Sequence, residues 1–190
     1  KRVWWKCPKG PDHEWQTTPS KRIRRNQGCP YCINQRVSTT NSLATLAPDI
    51  ASQWHPTLNG ELTPNDVVKG SDKRVMWLCP IGDDHQWEAR IGERSKGKGC
   101  PFCAGKRVSK TNSLTALAPD VAKQWHPSLN GELTPGDVVA GSAKKVWWKC
   151  PKGPDHEWES NVGERATNQK RGCPFCAGQK VSVTNSLASL

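Results

Sequence analysis

Cys7-Pro-Lys-Gly-Pro-Asp-His13, followed after fifteen residues by Cys29-Pro-Tyr-Cys32, is the stretch that decides the fold. The same spacing, Cys-x5-His and then Cys-Pro-x-Cys, returns twice further along the chain and uses all nine cysteines. Three cysteines and one histidine are donors that close a tetrahedral zinc site. The pattern therefore predicts three structural zinc ions, held by Cys7, His13, Cys29 and Cys32, by Cys79, His85, Cys100 and Cys103, and by Cys150, His156, Cys173 and Cys176.

A disulfide framework is the alternative use of so many cysteines. It fits poorly, because nine is an odd number and a histidine takes the fourth position in every set. Zinc-bound thiolates indicate a reducing compartment, so we expect an intracellular protein, nuclear in a eukaryote and cytoplasmic in a bacterium. The sequence has neither the pattern of a signal peptide nor a run of about 18 apolar residues, and we therefore expect a soluble protein without a membrane partner.

The zinc motifs belong to an internal repeat. The segment 37–80 returns almost unchanged at 108–151, and a third copy begins at Val181. Both ends of the chain fall inside a repeat, so we expect a piece of a longer array, with further repeats or fused domains outside it. We predict zinc modules at 1–36, 73–107 and 144–180, connectors at 37–72 and 108–143, and the start of a third connector at 181–190.

Each zinc module is predicted to contain a β-hairpin. Its first strand is Val3–Lys6, Val75–Leu78 or Val146–Lys149, and its second begins at His13 or the equivalent histidine. A module of this size buries too little apolar surface to fold alone, so zinc must contribute on the order of 10 kcal/mol or more. Most of the tryptophans lie here, and we expect them to pack around the metal site, the alternative being base stacking.

The connectors are predicted to form short helices and turns. Asn41-Ser42 can cap a helix through Leu43, and Pro48 suits the first position of another helix over 49–54. The second connector repeats these signals at 112–114 and 119–125. No cysteine or carboxylate cluster accompanies His55 or His126, so we expect packed histidines there rather than ligands.

Charge is divided between the two kinds of segment. Residues 1–36, 73–107 and 144–180 carry formal charges of +7, +4 and +4, whereas 37–72 and 108–143 carry −3 and −1. Zinc with three thiolates and a neutral imidazole has a charge of −1, so three sites lower the formal +11 to about +8. Regularly spaced basic modules are typical of proteins that bind a nucleic-acid backbone, although a solvated basic surface without a partner remains an alternative.

Comparison of the repeats suggests which side chains could contact bases and which could contact phosphates. The strand after each hairpin tryptophan places Thr18, Arg90 and Asn161 on a variable face beside Gln16, and such side chains can contact different bases. Neutral surface variation is the alternative. The remaining basic residues fit phosphate contacts better: Arg22, Arg24, Arg25, Arg94, Lys96, Lys98, Arg165, Lys170 and Arg171.

The repeated motifs Val-Trp-Trp-Lys-Cys, His-x-Trp, Gly-Cys-Pro-x-Cys and Trp-His-Pro-x-x-Asn-Gly resemble those of the tandem "probable zinc-ribbon" modules, which are regarded as treble-clef zinc fingers. The resemblance covers essentially the whole chain. It implies the same twelve zinc ligands and an association with nucleic acids, although treble clefs also bind proteins. Met76 and Leu78 depart from the Trp and Lys of the other modules.

We thus predict small zinc-stabilised α+β repeats: three treble-clef or zinc-ribbon-like modules, each a β-hairpin with short helices, joined by structured connectors into an extended array. The predicted function is non-enzymatic binding of double-stranded DNA, with sequence readout from hairpin residues as a further hypothesis. A protein-interaction scaffold and an RNA-binding array are the alternatives. A ββα-metal nuclease shares the treble clef but needs an open metal position, which these closed sites lack.

Overall fold

A two-stranded antiparallel hairpin accompanies each Cys-x5-His motif. The computed structural model describes residues 1–166 and 172–187. The strands are β1 (Val3–Lys6) with β2 (Glu14–Thr17), β3 (Arg74–Leu78) with β4 (Gln86–Arg90), and β5 (Lys145–Lys149) with β6 (Glu157–Asn161). In each hairpin two tryptophans pair across the strands: Trp5 with Trp15, Trp77 with Trp87, and Trp148 with Trp158. The predicted hairpins are confirmed.

The helices are all short. In the described residues they are α1 (Pro19–Arg24), α2 (Leu43–Leu46), α3 (Pro48–Ala51), α4 (Ile91–Ser95), α5 (Leu114–Leu117), α6 (Pro119–Ala122) and α7 (Val162–Ala166), with 3-10 turns at Pro64–Asp66 and Pro135–Asp137. Helices α1, α4 and α7 each follow a hairpin. Ile91 and Val162 begin α4 and α7 and are fully buried, whereas α1 begins with Pro19 and buries no residue.

The connector helices begin where the sequence predicts them. Ser42 caps α2, its Oγ accepting a hydrogen bond of 3.2 Å from the backbone N–H of Thr45. Helix α3 begins at Pro48 but ends at Ala51, three residues before the predicted end at position 54. The reason is nonlocal, because the backbone of 53–55 bonds to strand β3 instead of continuing the helix. Helix α6 in the second connector is shortened in the same way.

A connector and the hairpin that follows it share one apolar core. In the second connector Leu114 and Val138 pack with the buried tryptophans Trp148 and Trp158 and with Val162 at the start of α7. Two zinc-ligand cysteines of that module also contact this core. The expected packing of the tryptophans around the metal site is therefore confirmed for this module.

By its contacts the chain divides into two compact units, Lys1–Gly99 and Cys100–Leu190. Each unit contains a complete connector together with its following hairpin. The predicted class of small α+β repeats is confirmed, while the exact module and connector boundaries stay a prediction. None of the helices in the described residues combines the length and apolar character needed to cross a bilayer.

Candidate metal centres

The structure brings the predicted ligands together in three groups. In each group the four donor atoms lie within 4.8 Å of one another. The groups are Cys7, His13, Cys29 and Cys32; Cys79, His85, Cys100 and Cys103; and Cys150, His156, Cys173 and Cys176. None of the nine cysteines, all of which lie in the described residues, forms a disulfide.

Donor distances in the first group match those of a tetrahedral zinc site. With Zn–S of about 2.3 Å and Zn–N of about 2.0–2.1 Å, two sulfurs are separated by about 3.8 Å, and a sulfur and a nitrogen by about 3.6 Å. The sulfurs of Cys7 and Cys32 are 3.7 Å apart, and the sulfurs of Cys29 and Cys32 are each 3.7 Å from His13 Nδ1. The residues therefore fit zinc, with Nδ1 as the histidine donor.

The third group repeats this geometry. Cys150 and Cys176 have sulfurs 3.7 Å apart, and the sulfurs of Cys173 and Cys176 lie 3.6 Å from His156 Nδ1. The agreement of two separate modules to about 0.1 Å shows that the local sequence, rather than its position in the chain, determines the arrangement of the donors.

The loop between the first two ligands holds the histidine ring closely. The backbone N–H of Cys7 donates to the carbonyl of His13 over 3.0 Å and closes the end of the hairpin. Gly10 lies under the imidazole, where a Cβ atom would come within 2.6 Å of the ring. Gly153 has the same contact with His156. Only glycine fits at this place in the Cys-x5-His loop, because a side chain would displace the ligand.

Without a cation, Cys7 and Cys32 have shifted pKa values of opposite direction. The pKa of Cys7 is lowered to about 7, first by a backbone hydrogen bond from Lys9 and then by His13. The pKa of Cys32 is raised to about 11 by burial and by the neighbouring thiols of Cys7 and Cys29. The first thiolate therefore forms readily and opposes the next one. A divalent cation among the sulfurs would stabilise all three as thiolates.

Two hydroxyls that the sequence analysis missed complete the environment of the histidine. His13 Nε2 lies 3.1 Å from Ser38 Oγ and 2.9 Å from Thr40 Oγ1. When Nδ1 binds zinc, Nε2 carries the ring N–H and donates a hydrogen bond to these oxygens, which fixes the ring orientation. The motif Val-Ser-x-Thr-Asn-Ser follows each Cys-Pro-x-Cys, and its repetition is the sequence pattern from which a role for these hydroxyls could have been predicted.

The third module has the same pair of hydroxyls. Ser182 Oγ and Thr184 Oγ1 lie 3.1 and 2.8 Å from His156 Nε2. These residues belong to the segment predicted as the start of the third connector. The first residues after a zinc module are therefore part of its metal environment.

The connector is attached to the zinc module by two further side chains. Asn41 Nδ2 donates to the carbonyls of Tyr31 and Arg36 over 2.7 and 2.9 Å, spanning the turn that carries Cys29 and Cys32. The carboxylate of Asp12 accepts the backbone N–H of Thr39 over 2.7 Å, and this bond lowers the pKa of Asp12. Asn112 and Asn185 make the corresponding amide contacts in the later repeats.

An aromatic ring also covers the ligand histidine in the first and third modules. Tyr31 stacks on His13 with ring centres 5.0 Å apart, and Phe175 stacks on His156 at the same distance. Both aromatic residues occupy the x position of Cys-Pro-x-Cys. The apolar stack limits the access of water to the imidazole face.

Arg94, predicted as a phosphate contact, is buried. Its guanidinium carbon lies 5.3 Å from the ring centre of Trp77 and 5.2 Å from that of Trp87. Its Nη2 donates to Gln53 Oε1 over 2.6 Å, which ties the hairpin to the preceding connector. This placement differs from the expectation of an exposed side chain and gives Arg94 a structural role.

Arg165 has the same position in the third module, 5.0 Å from the ring centres of both Trp148 and Trp158. Burial lowers the pKa of its guanidinium, and the nearby sulfurs of Cys173 and Cys150 partly oppose that shift. The net charge of −1 on an occupied zinc site offsets the buried positive charge. Arg165 is therefore linked electrostatically to the metal centre as well as packed against the core.

The other predicted contact residues are mostly exposed. Gln16, Arg24, Arg25, Arg90 and Lys96 face solvent, and Lys98 does so while pairing with Glu93 at 2.9 Å. Thr18 caps helix α1, Asn161 is half-buried at the end of β6, and Arg22 lies over the rings of Trp5 and Trp15. Lys170 and Arg171 lie outside the described residues.

The connector histidines are packed, as predicted. His55 and His126 are both buried, and each Nδ1 accepts backbone N–H groups two and three residues later. In the second connector His126 Nε2 also lies 3.3 Å from a carboxylate oxygen of Glu157. Both histidines thus shape the turn after the connector helix and do not join a ligand group of the described residues.

The geometry defines a set of small modules, each built around a closed Cys3His zinc site. Comparison with protein families gives the same answer, since a family described as a probable treble clef zinc finger domain matches residues 1–35, 50–106 and 121–179. These segments make up most of the chain, which therefore belongs to this treble clef family. No curated protein matches the sequence. Three structural zinc ions are accordingly the cofactors of this chain.

Proposed function

We propose that the zinc modules bind double-stranded DNA, chiefly through contacts between exposed basic side chains and phosphates. The observation that carries this proposal is helix α1. It has basic residues at Lys21, Arg22 and Arg24, no acidic residue in its first turn, and no buried residue. Arg22 lies over Trp5 and Trp15, but Lys21 and Arg24 are exposed, so their charge is available to a partner.

The distribution of charge supports the same partner. Residues 1–36 carry +7, and the connector 37–72 that follows carries −3. An occupied zinc site reduces the first value by only one charge. Strongly basic modules therefore alternate with acidic connectors along the sequence. This alternation favours an interaction in which the modules contact a polyanion and the connectors act as spacers between them.

The second module offers a different kind of contact. Arg90 ends strand β4 with about half of its side chain exposed, and its Nη1 is 3.8 Å from Asp72. Such a long, exposed pair is weak and easily exchanged for another partner. Arg90 can therefore offer its guanidinium to the edge of a guanine, a bidentate contact worth about 1–3 kcal/mol of discrimination.

The proposal describes a binding protein without catalytic activity. Four protein donors occupy every position of a tetrahedral ion in each group, so the zinc has no open position for a water or a substrate. Chemistry at the metal would require one of the four ligands to leave.

Fluorescence anisotropy with the zinc-loaded chain tests the proposal, using duplex DNA, single-stranded DNA and RNA of equal length. Affinity for the duplex should fall by orders of magnitude between about 50 and 200 mM salt for roughly 6 phosphate contacts. Tighter binding to RNA or to single strands would assign another nucleic acid as the partner. Absence of salt dependence with all three would refute the proposal.

Matched charge removals locate the contacts. Arg24→Ala with Arg25→Ala should lower the slope of log K against log salt by about 2, because two phosphate contacts disappear. Lys69→Ala with Lys123→Ala removes the same charge from two connectors and should leave the slope close to that of the parent. Equal effects of the two double variants would show that net charge, rather than the module surface, determines binding.

Sequence readout requires a separate comparison. Arg90→Ala should weaken binding to a selected site more than binding to random duplex, whereas Lys96→Ala with Lys98→Ala should weaken both alike. If selection from a random library returns no preferred site, or if Arg90→Ala acts equally on all duplexes, the array contacts the backbone only.

A further inference from the structure

A groove lies between the second connector and the zinc module that follows it, inside the unit Cys100–Leu190. One wall is formed by the end of helix α6 and the residues after it, and the other by the end of β5 and the Cys-x5-His loop. The volume of this α6 groove is about 820 Å³, a size typical of sites for small ligands. Its lining includes Lys123, Trp125, Pro127, Lys149, Pro151 and Lys152.

Trp125 gives the α6 groove a flat apolar surface that is held in place. Its indole N–H donates to the carbonyl of Leu133 over 3.0 Å, and its ring meets that of Trp148 edge-on with centres 5.6 Å apart. The side chain is half-buried, and its remaining surface lines the groove beside Pro127 and Pro151. A ring fixed in this way loses little conformational entropy when a planar group stacks on it.

Three lysines add positive charge to this apolar surface. The side chains of Lys123 and Lys149 are 75% and 44% exposed, and Lys152 is exposed as well. Lys123 pairs with Asp120 at 2.9 Å, and Lys149 pairs with Glu157 at 2.8 Å. Each ammonium group has three donors, and ion pairs open to solvent are weak, so both lysines keep donors for an anion.

The first connector and the second zinc module form a corresponding groove, inside the unit Lys1–Gly99. Its volume is about 610 Å³, and it lies beside the end of helix α3. The repeat places Trp54, Pro56 and Pro80 where the α6 groove has its tryptophan and two prolines. The apolar surface is therefore common to the two copies of the repeat.

The charge of this α3 groove is different. The positions of the three lysines are occupied by Ser52, Leu78 and Ile81, and Asp83 stands at the position of Pro154. The α6 groove thus has three additional positive charges and one fewer negative charge. Because the groove forms in both copies, the lysines are not needed to build it, and they change what it can bind.

We propose that the α6 groove binds a nucleotide, whose base stacks on Trp125 and whose phosphate contacts Lys149 and Lys152. A base has two flat faces that stack on aromatic side chains, and lysine is a common phosphate ligand, so one molecule satisfies both parts of the groove. A free nucleotide and an unpaired nucleotide of a nucleic acid share this chemistry. The site rests on the proposed DNA binding only where the nucleotide belongs to DNA.

An NMR titration of the zinc-loaded chain with dAMP tests the site, using the indole N–H signals of the tryptophans. Deoxyadenosine lacks the phosphate and deoxyribose 5-phosphate lacks the base, so these two ligands are matched controls that cannot affect folding. The Trp125 signal should shift saturably with dAMP. Binding of dAMP should be at least tenfold tighter than binding of either control, because each control loses one of the two contacts.

Exchange of residues between the two grooves gives an independent measurement. The variant Lys123→Ser, Lys149→Leu, Lys152→Ile introduces residues that the α3 groove already has at these positions. Its affinity for dAMP should fall about tenfold, to that for deoxyadenosine, while three zinc ions remain bound. The reverse variant, Ser52→Lys, Leu78→Lys, Ile81→Lys, should gain a second dAMP site that shifts the Trp54 signal.

Competition identifies the source of the nucleotide. Displacement of dAMP by a duplex with one unpaired terminal adenosine, at a lower concentration than a blunt duplex requires, assigns a nucleic acid. Equal displacement by the two duplexes, weaker than that by free dAMP, assigns a free nucleotide. Both results support the site.

The proposal is overturned if deoxyribose 5-phosphate binds as tightly as dAMP, or if the lysine variant keeps the parent's affinity. It is also overturned if an aspartate-rich peptide binds the groove more tightly than dAMP does. Failure of duplex binding is a separate result, because Arg24→Ala with Arg25→Ala should weaken duplex binding and leave the affinity for dAMP unchanged.

Discussion

Loss of the two hydroxyls beside His13 is expected to weaken the first zinc site selectively. Ser38→Ala with Thr40→Val removes both acceptors of the Nε2 proton, at 3.1 and 2.9 Å, with little change in side-chain volume. His13 itself is only 2% exposed, so water cannot readily replace them. The buried N–H would then be left without a partner.

The expected loss of zinc affinity follows from the free-energy cost of burying the His13 N–H without a hydrogen-bond acceptor. A buried unsatisfied group costs about 1–3 kcal/mol, which corresponds to a loss of roughly 5- to 150-fold in the affinity of the site. Changes in the outer environment of metal ligands lower affinity by about 10- to 100-fold, which agrees with this range. The free energy is lost only in the folded, metal-bound state, because the unfolded histidine is hydrated.

Competition with a chromogenic chelator measures the effect, since one of three zinc ions should be released at a lower chelator concentration than the other two. Thr39→Ala is the matched control: it removes a neighbouring hydroxyl that contacts Asp12 and not His13. Ser182→Ala with Thr184→Val should repeat the effect at the third site. If the first double variant retains all three ions as tightly as the parent, the hydroxyls do not position the ligand.

The remaining predictions concern the metal and its support. Chelation should unfold the hairpins, and metal analysis of the native chain should return three zinc ions; a folded apo protein would contradict the reasoning. Gly10→Ala should prevent zinc binding at the first site, because the new Cβ would lie 2.6 Å from the His13 ring. Metal analysis should then find two zinc ions, bound at the other two sites. Arg94→Leu should lower the free energy of unfolding by about 1–3 kcal/mol in chemical denaturation, since Gln53 loses its buried partner, whereas the exposed Arg90→Leu should change it by less than about 0.5 kcal/mol.

The sequence allowed the metal centres to be predicted because their information is local. A Cys-x5-His loop and a Cys-Pro-x-Cys turn each have few conformations, and four such donors at this spacing can meet in one place. The first residues of the connector helices could also be predicted from local sequence, because Ser42 and Pro48 act on the residues directly after them. These features need no knowledge of the rest of the chain.

Other features could not be predicted because they depend on distant partners. The helix at Pro48 ends early because residues 53–55 find hydrogen bonds on β3, more than twenty residues away. Arg94 was expected at the surface, where arginine usually lies. Its burial requires two tryptophans from different strands and Gln53 from the connector, and no local pattern brings these together.

The start of each connector is attached to the zinc module before it, and a later part of the connector is attached to the hairpin after it. These two attachments couple neighbouring modules. In the first connector, Ser38, Thr40 and Asn41 complete the zinc module before it, whereas Gln53 and His55 cover the hairpin after it. Zinc binding at the first site therefore fixes one end of the segment that closes the second hairpin. Part of the conformational entropy of docking is lost already when the metal binds, so each occupied site lowers the free-energy cost of folding the next hairpin. Because such coupling is reciprocal, a folded hairpin also favours zinc binding at the site before it, and the connector couples the two neighbouring modules in both directions.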